Sequence, residues 1–229
     1  MEICGLQKFS LIDYPKKLSC VLFCCGCNFF CPFCHNSQLI LKEKIKLLPK
    51  IEEKDFLKFL REKKGFLDAV VITGGEPTLQ NDLLNFLKKI KKLGFLIKLD
   101  TNGSRPEVLK NLIKANLIDY IAMDVKFSPK LYQEILKFDF KKIKESINLI
   151  KNSKIDYEFR TTVVPTLHNL EEIKKIIQEI SPAKRYVLQN FQPKNTLDPR
   201  FEKLTPFSEE ALKNFQKVAK NFFEEVILR

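Results

Sequence analysis

The sequence predicts an α/β protein in which parallel strands form a partial (β/α)6 barrel. Two observations favour this fold class. Six short runs of β-branched and other apolar residues alternate with longer segments of helical period, and polar motifs follow several of these runs directly. The 229 residues contain no internal repeat and no linker-like segment, so we expect a single domain over residues 1–229.

The predicted elements alternate regularly along the chain. The strands are Ser19–Phe23, Ala69–Thr73, Leu96–Asp100, Tyr120–Val125, Tyr157–Val163 and Arg185–Gln189. The helices are Ile51–Lys64, Leu79–Leu93, Pro106–Ala115, Phe140–Lys151, Leu170–Ile180 and a last one near Glu209–Glu224. Strands joined by helices run parallel through right-handed crossovers, so six units predict an open, curved sheet whose functional side chains gather at the carboxyl ends of the strands.

The composition limits the possible function. Hydrophobic residues make up 45% and charged residues 30% of the chain, which is typical of a globular protein, and the formal net charge is +12. The lysines recur among apolar residues of predicted helices, which indicates solvated helix faces rather than a nucleic-acid site. A basic surface that meets an acidic protein partner is the alternative. The apolar runs are far shorter than the roughly 20 residues that cross a bilayer, so we expect no membrane span.

All seven cysteines lie near the amino terminus, between Cys4 and Cys34. A disulfide framework would be spread across the fold, and no apolar signal segment precedes the cysteines, so we expect a reducing, cytoplasmic compartment. Buried structural thiols are the simplest interpretation of four of them. These four are Cys4, Cys20, Cys24 and Cys25.

The other three cysteines, Cys27, Cys31 and Cys34, have the spacing C-x3-C-x2-C directly after the first predicted strand. Three thiolates at this spacing can bind three irons of a cubane cluster and leave the fourth iron without a protein ligand. A small molecule with an amine and a carboxylate can then chelate the open iron. Zinc with His35 as fourth ligand is the alternative, although adjacent residues such as Cys34 and His35 rarely both reach one tetrahedral ion.

The segment from Gly26 to Asn36, with the sequence GCNFFCPFCHN, resembles the signature of radical S-adenosylmethionine (SAM) enzymes that activate glycyl radical enzymes. Among these it is most similar to the activating proteins of anaerobic ribonucleoside-triphosphate reductase. The resemblance covers motifs from Cys27 to about Gln189. It implies one [4Fe–4S] cluster on the three cysteines, with SAM as the second cofactor. Cys24 and Cys25 depart from the family pattern, which has ordinary residues before the glycine.

A Gly-Gly-Glu-Pro motif follows the second predicted strand, at Gly74, Gly75, Glu76 and Pro77. Two glycines allow a close approach of the backbone to a ligand, and the carbonyl groups or Glu76 can accept hydrogen bonds from an ammonium group. A simple turn is the alternative for these four residues alone. The resemblance implies that the motif holds the methionyl amine of SAM.

Polar and charged residues also mark the ends of the third and fourth strands and the interior of the fifth. They are Asp100, Thr101, Asn102, Asp124, Lys126 and Arg160. Opposite charges at the carboxyl ends of these strands can bind a zwitterion. Lys126 or Arg160 would bind its carboxylate, and the aspartates would bind its sulfonium or ribose group. The alternative interpretation is that these charged side chains form ordinary salt bridges with one another and bind no ligand. The resemblance implies that Asp100 and Asp124 also help to bind a monovalent cation near SAM.

Four further residues bear on the site. The resemblance places Phe33 beside the adenine of SAM, and Asp13 and Tyr14 are candidates for the partner-facing side. His168 is interpreted as a surface histidine on a loop. No catalytic side chain is expected beyond the cluster and SAM.

The resemblance implies that an electron from flavodoxin or ferredoxin drives cleavage of SAM to methionine and a 5′-deoxyadenosyl radical, which takes a hydrogen from a glycine of the partner. Anaerobic ribonucleotide reductase is the first choice of partner, and pyruvate formate-lyase or another glycyl radical enzyme is the second. Two alternatives remain open: a radical SAM enzyme with a small-molecule substrate, and a non-enzymatic iron–sulfur or zinc protein of regulation or electron transfer.

Overall fold

Eight strands follow one another across a single sheet in the computed structural model, which describes residues 1–229. The strands are β1 (Ile3–Ser10), β2 (Ser19–Cys24), β3 (Ala69–Gly74), β4 (Leu96–Thr101), β5 (Tyr120–Asp124), β6 (Asp156–Val163), β7 (Ala183–Asn190) and β8 (Phe223–Leu228). β1 is antiparallel to β2, and every other neighbouring pair is parallel. The sheet is not closed, because β1 and β8 remain its two edges.

Eight helices connect and cover the strands. They are α1 (Lys42–Ile45), α2 (Glu53–Glu62), α3 (Leu83–Lys92), α4 (Pro106–Lys114), α5 (Pro129–Leu136), α6 (Phe140–Lys151), α7 (Leu170–Ile180) and α8 (Glu209–Ala219). None is both long and apolar enough to pass through a bilayer. The partial (β/α) barrel is therefore confirmed, with β2 to β7 near the predicted strand bounds.

Four elements were missed, among them the four-residue helix α1, which buries none of its side chains. Buried and exposed residues do not alternate regularly along β1, because Gln7, Lys8 and Phe9 are all exposed. The pairing of β1 with β2 is also not visible in any local sequence pattern. The prediction of a helix near Glu209–Glu224 was wrong at its end, since α8 ends at Ala219 and β8 follows as an edge strand. The short α5, which begins with a proline at its first position, was also missed.

The two faces of the sheet have different roles. The outer face packs against the helices and forms the main core, with side chains such as Leu22, Ile72 and Ile121 fully buried. The inner face carries a small apolar cluster in the amino-terminal half of the strands, which includes Tyr14 and Tyr120. This cluster fills the lower part of the barrel interior and leaves the region near the carboxyl ends of the strands to polar side chains.

Candidate active site

The cysteine loop begins directly after β2, where Gly26 takes a positive φ of 82°. Cys31 is buried, whereas Cys27 and Cys34 are partly exposed, and all three line one cavity. The backbone N–H of Phe29 lies 3.4 Å from the Cys27 sulfur. Burial raises the pKa of Cys27 to about 11 and that of Cys31 to about 12. Because buried thiols become thiolates when metal ions provide the compensating charge, this donor set fits a metal centre.

Cluster binding and single-ion binding place different demands on the three thiols. No group of three or more Cys, His, Asp or Glu side chains surrounds a common point as one metal ion requires, although His35 lines the same cavity as Cys34. A cubane instead binds each cysteine to a separate iron atom, so its thiols need not converge. A cluster on these three cysteines would leave its fourth iron without a protein ligand.

The loop after β3 packs directly on the cysteine loop. The backbone N–H groups of Gly75 and Glu76 donate to the carbonyl oxygens of Cys24 and Gly26, at 2.9 and 2.8 Å. A Cβ on Gly75 would lie 1.9 Å from the Gly26 oxygen, and Gly74 has a φ of 114°. These glycines are needed for the contact between the two loops, in addition to any approach to a ligand.

Glu76 is fully buried and joins two loops at the site. Its carboxylate accepts hydrogen bonds from the Thr78 N–H and hydroxyl, from the Thr101 hydroxyl at 2.8 Å and from the Asn102 N–H at 2.6 Å. Burial raises the pKa of Glu76, and these hydrogen bonds oppose the shift. Since both oxygens already have donors, the backbone of Gly74 and Gly75 remains for the predicted contact with an ammonium group.

Asn102 connects the loop after β4 to the cysteines. Its side-chain amide donates to Asn28 Oδ1 at 3.0 Å and lies 3.8 Å from the Cys27 sulfur, while its Oδ1 accepts from the Ser104 N–H. Donors to a ligand sulfur orient the ligand and tune the metal centre. Asn28 was not singled out from the sequence, although it lies within the cysteine motif.

Five charged side chains alternate in sign across β4, β5 and β6. We call them the charge ladder: Lys98, Asp100, Arg160, Asp124 and Lys126. Lys98 Nζ lies 2.5 Å from Asp100 Oδ1, and Arg160 Nη1 lies 3.0 Å from Asp100 Oδ2. Arg160 Nε lies 2.7 Å from Asp124 Oδ1, and Lys126 Nζ lies 3.3 Å from Asp124 Oδ2. The sequence prediction had included all of these residues except Lys98.

The charge ladder keeps both aspartates ionised. Burial alone would raise the pKa of Asp124, but the charges of Arg160 and Lys126 outweigh this effect and hold the pKa at about 2. The pKa of Asp100 is likewise lowered, because Arg160 and Lys98 outweigh the effect of burial. With three cations and two carboxylates, the ladder has a net charge of +1, which favours an anionic group such as a carboxylate beside it.

The cavity has a volume of about 500 Å³ and lies inside the barrel. It is lined by the cysteines and by all predicted cofactor-binding residues except Pro77, namely Phe33, Gly74, Gly75, Glu76, Asp100, Thr101, Asn102, Asp124, Lys126 and Arg160. Asp13 also lines it, whereas Tyr14 is buried against Tyr120. A larger hollow of about 640 Å³ between α4 and α6 is lined mainly by lysines and asparagines.

The prediction that His168 is a surface residue was wrong. The residue is 4% exposed, its ring stacks on Phe127, and Nδ1 accepts a hydrogen bond from the Val164 N–H. Nε2 therefore carries the proton and donates to the carbonyl oxygen of Lys126 at 2.8 Å. His168 thus fixes the backbone at one end of the charge ladder.

The prediction that Cys4 and Cys25 are free thiols was also wrong, since the two form a disulfide. The unpredicted strand β1 is the reason, because its pairing places Ile3 opposite Cys24 and brings Cys4 next to Cys25. Cys20 and Cys24 are buried and free, as expected.

Comparison with known proteins identifies related chains. Residues 21–180 match the family described as the radical SAM superfamily. A candidate glycyl-radical enzyme activating enzyme of Methanocaldococcus jannaschii is 39% identical over 99% of this chain and 95% of its own length. A second candidate activating enzyme from the same organism is 31% identical over 77% of this chain and 67% of its own.

Two solved structures have a similar fold. SuiB from Streptococcus suis, bound to SAM, has a TM-score of 0.66 and 16% identity over 90% of this chain, which spans about half the length of SuiB, 51%. A domain of a pyruvate-formate lyase-activating enzyme from Bacteroides vulgatus has a TM-score of 0.57 and 16% identity, over 70% of this chain and 98% of that domain.

Proposed function

The chain belongs to the radical SAM superfamily, and from that membership we propose that it is an enzyme that generates a glycyl radical on a partner protein. Membership implies a [4Fe–4S] cluster and SAM, and we assign the cluster to Cys27, Cys31 and Cys34. When bound, the reduced cluster and SAM supply the chemistry that yields methionine and a 5′-deoxyadenosyl radical, which removes a hydrogen atom from the glycine.

One observation carries the proposal. Three thiols and four members of the charge ladder, Asp100, Asp124, Lys126 and Arg160, line the same cavity, and Lys98 behind Asp100 brings the net charge of the ladder to +1. Iron atoms need the thiols, and the methionyl carboxylate of SAM is attracted by the cationic end of the ladder. The volume of about 500 Å³ is in the range of small-molecule sites.

Each group of residues has a specific task. Asn102 would orient the Cys27 sulfur, and the backbone carbonyl groups of Gly74 and Gly75, which line the cavity, would accept hydrogen bonds from the ammonium group of SAM. Lys126 or Arg160 binds its carboxylate. Phe33 lies edge-on against Phe127 at the cavity wall, where an adenine can pack on it.

The open side of the barrel suits a protein substrate. β1 and β8 do not pair, and the cavity lining includes Ile12 and Asp13, which follow the edge strand β1, and Gln192, which follows β7. A loop of a partner can therefore reach the cofactors without passing through a closed barrel. Within this class we propose anaerobic ribonucleotide reductase as the partner and flavodoxin or ferredoxin as the reductant. The basic surface of the chain suits an acidic electron donor.

The first test is anaerobic reconstitution with iron and sulfide, then reduction with dithionite in the presence of SAM and chromatography for 5′-deoxyadenosine. We expect product from the wild type and from Cys20→Ala, which removes a buried thiol away from the cluster loop. Cys31→Ala should give none. A cluster that forms and is reduced without any product, even with candidate partners, would favour the electron-transfer alternative.

The second test concerns the partner. Anaerobic mixing with ribonucleotide reductase and, separately, with pyruvate formate-lyase should produce a glycyl radical signal in electron paramagnetic resonance with the first partner only. A signal with the second partner alone would replace our choice of partner and leave the radical chemistry intact. Product without any protein partner, together with consumption of a small metabolite, would favour the small-molecule alternative.

A further inference from the structure

Lys98 is a buried cation that the proposed function does not yet use. Its side chain is 3% exposed on the inner face of β4, where the strand register places it between Val71 of β3 and Tyr120 of β5. The only hydrogen bond that its ammonium group makes is to Asp100 Oδ1, at 2.5 Å. A charge buried beside apolar and aromatic side chains is costly, so its retention calls for a role at Asp100.

Each carboxylate oxygen of the two aspartates already lies beside a cationic nitrogen. Asp100 is bonded to Lys98 and Arg160, and Asp124 is bonded to Arg160 and Lys126, with one cationic nitrogen at each of the four oxygens. A metal cation between these aspartates would need some of the same oxygens as ligands. It would also enter a group of side chains whose net charge is already +1, and it would be repelled by them. These residues therefore do not fit the monovalent cation that the family resemblance implies.

We propose that the Lys98 ammonium group replaces this cation as a built-in part of the SAM site. Lys98 neutralises Asp100 from the apolar side of the barrel. Arg160 can then form ion pairs with both Asp100 and Asp124. The charge ladder retains a net charge of +1, which attracts the carboxylate of SAM. Lys98 is in this sense a positioning residue, which acts on SAM through Asp100 and Arg160. The inference rests on the proposed binding of SAM in this cavity.

The inference predicts how SAM affinity depends on salt. The holoenzyme is reconstituted anaerobically, and the Kd for SAM is measured by calorimetry in potassium, sodium and tetramethylammonium salts at equal ionic strength. Wild type should bind SAM with the same Kd, within about twofold, in all three salts, because no metal ion takes part. Lys98→Ala leaves space beside Asp100 and should bind SAM about tenfold more weakly in tetramethylammonium than in potassium or sodium.

Two further variants complete the test. Lys91→Ala, which removes a lysine paired with Asp119 outside the cavity, is the matched control and should show no salt-specific change. Lys98→Gln carries the same prediction as Lys98→Ala if the alanine variant does not fold. Lys98→Arg, which keeps the charge, should remain independent of the cation.

The outcomes are distinct. Two results would overturn the inference while the SAM assignment stands. One is a wild-type protein that binds SAM more weakly in tetramethylammonium than in potassium or sodium. The other is a neutral Lys98 variant whose affinity for SAM, like that of wild type, does not depend on the cation. No binding of SAM to wild type in any salt would instead overturn the proposed function on which the inference rests.

Discussion

The Glu76 carboxylate accepts a hydrogen bond of 2.6 Å from the backbone N–H of Asn102. This bond joins the loop after β3 to the loop after β4, and the Asn102 side chain continues the connection to the Cys27 sulfur. Cys27, a proposed ligand of the cluster, is therefore connected to a buried carboxylate through a single intermediate residue. Such supporting contacts commonly decide how well a metal centre is held.

Glu76→Gln should destabilise the protein and loosen the cluster. The amide NH₂ group would replace an oxygen that now accepts from an N–H or hydroxyl donor, whichever way the amide is oriented. We expect a loss of about 2–3 kcal/mol in the free energy of unfolding, measured by urea denaturation, and a lower iron content after reconstitution. Glu62→Gln, an exposed change on α2, is the control and should alter neither quantity. Equal iron content in both variants would contradict the role of Glu76.

Gly75→Ala tests the packing between the two loops. The added methyl group would lie 1.9 Å from the Gly26 carbonyl oxygen, which belongs to the backbone, so the cysteine loop must move. We expect most of the iron to be lost on reconstitution, as measured by iron and sulfide analysis. In Gly5→Ala the nearest contact is 3.4 Å from the Phe23 side chain, and full iron content is expected. A Gly75→Ala protein with full iron would show that the loop tolerates the displacement.

Much of this arrangement followed from the sequence because it depends on local patterns. The strands β2 to β7 are short apolar runs between amphipathic helices, and the motifs at Gly74, Asp100 and Asp124 occur where those runs end. Parallel connection then requires these motifs to meet at one edge of the sheet. The single cavity lined by nearly all predicted site residues is a consequence of this topology.

The missed features depend on contacts between distant parts of the chain. Pairing of β1 with β2 forms the Cys4–Cys25 disulfide, and the bonds of His168 to Val164 and Lys126 arise only when β5 and the loop after β6 are adjacent. Lys98 did leave a local signal. It lies two residues before Asp100, so on a strand both side chains point to the same face.

The cysteine assignment predicts a contrast between two buried thiols. Cys24 and Cys31 are both almost inaccessible, but only Cys31 lines the cavity. Cys31→Ser should lose the absorbance and paramagnetic signals of a [4Fe–4S] cluster. Cys24→Ala should keep them, with a loss of stability of about 1 kcal/mol or less, since it removes one small buried atom. Loss of iron from Cys24→Ala with the fold intact would mean that the ligands have been misassigned.

The buried ring of His168 predicts a pH dependence of stability. Burial lowers the pKa of His168 below its ordinary 6.5, so the folded protein keeps the ring neutral where the unfolded chain takes up a proton. The unfolded state then binds more protons, and this contribution to stability is present above pH 6.5 and is lost as the pH falls below it. His168→Gln should cost about 1–3 kcal/mol at neutral pH through its two hydrogen bonds. The difference between the two proteins in urea denaturation should shrink towards acidic pH, and any contribution from His35 is present in both and cancels. A difference that stays constant or grows as the pH falls would show that His168 is not held neutral.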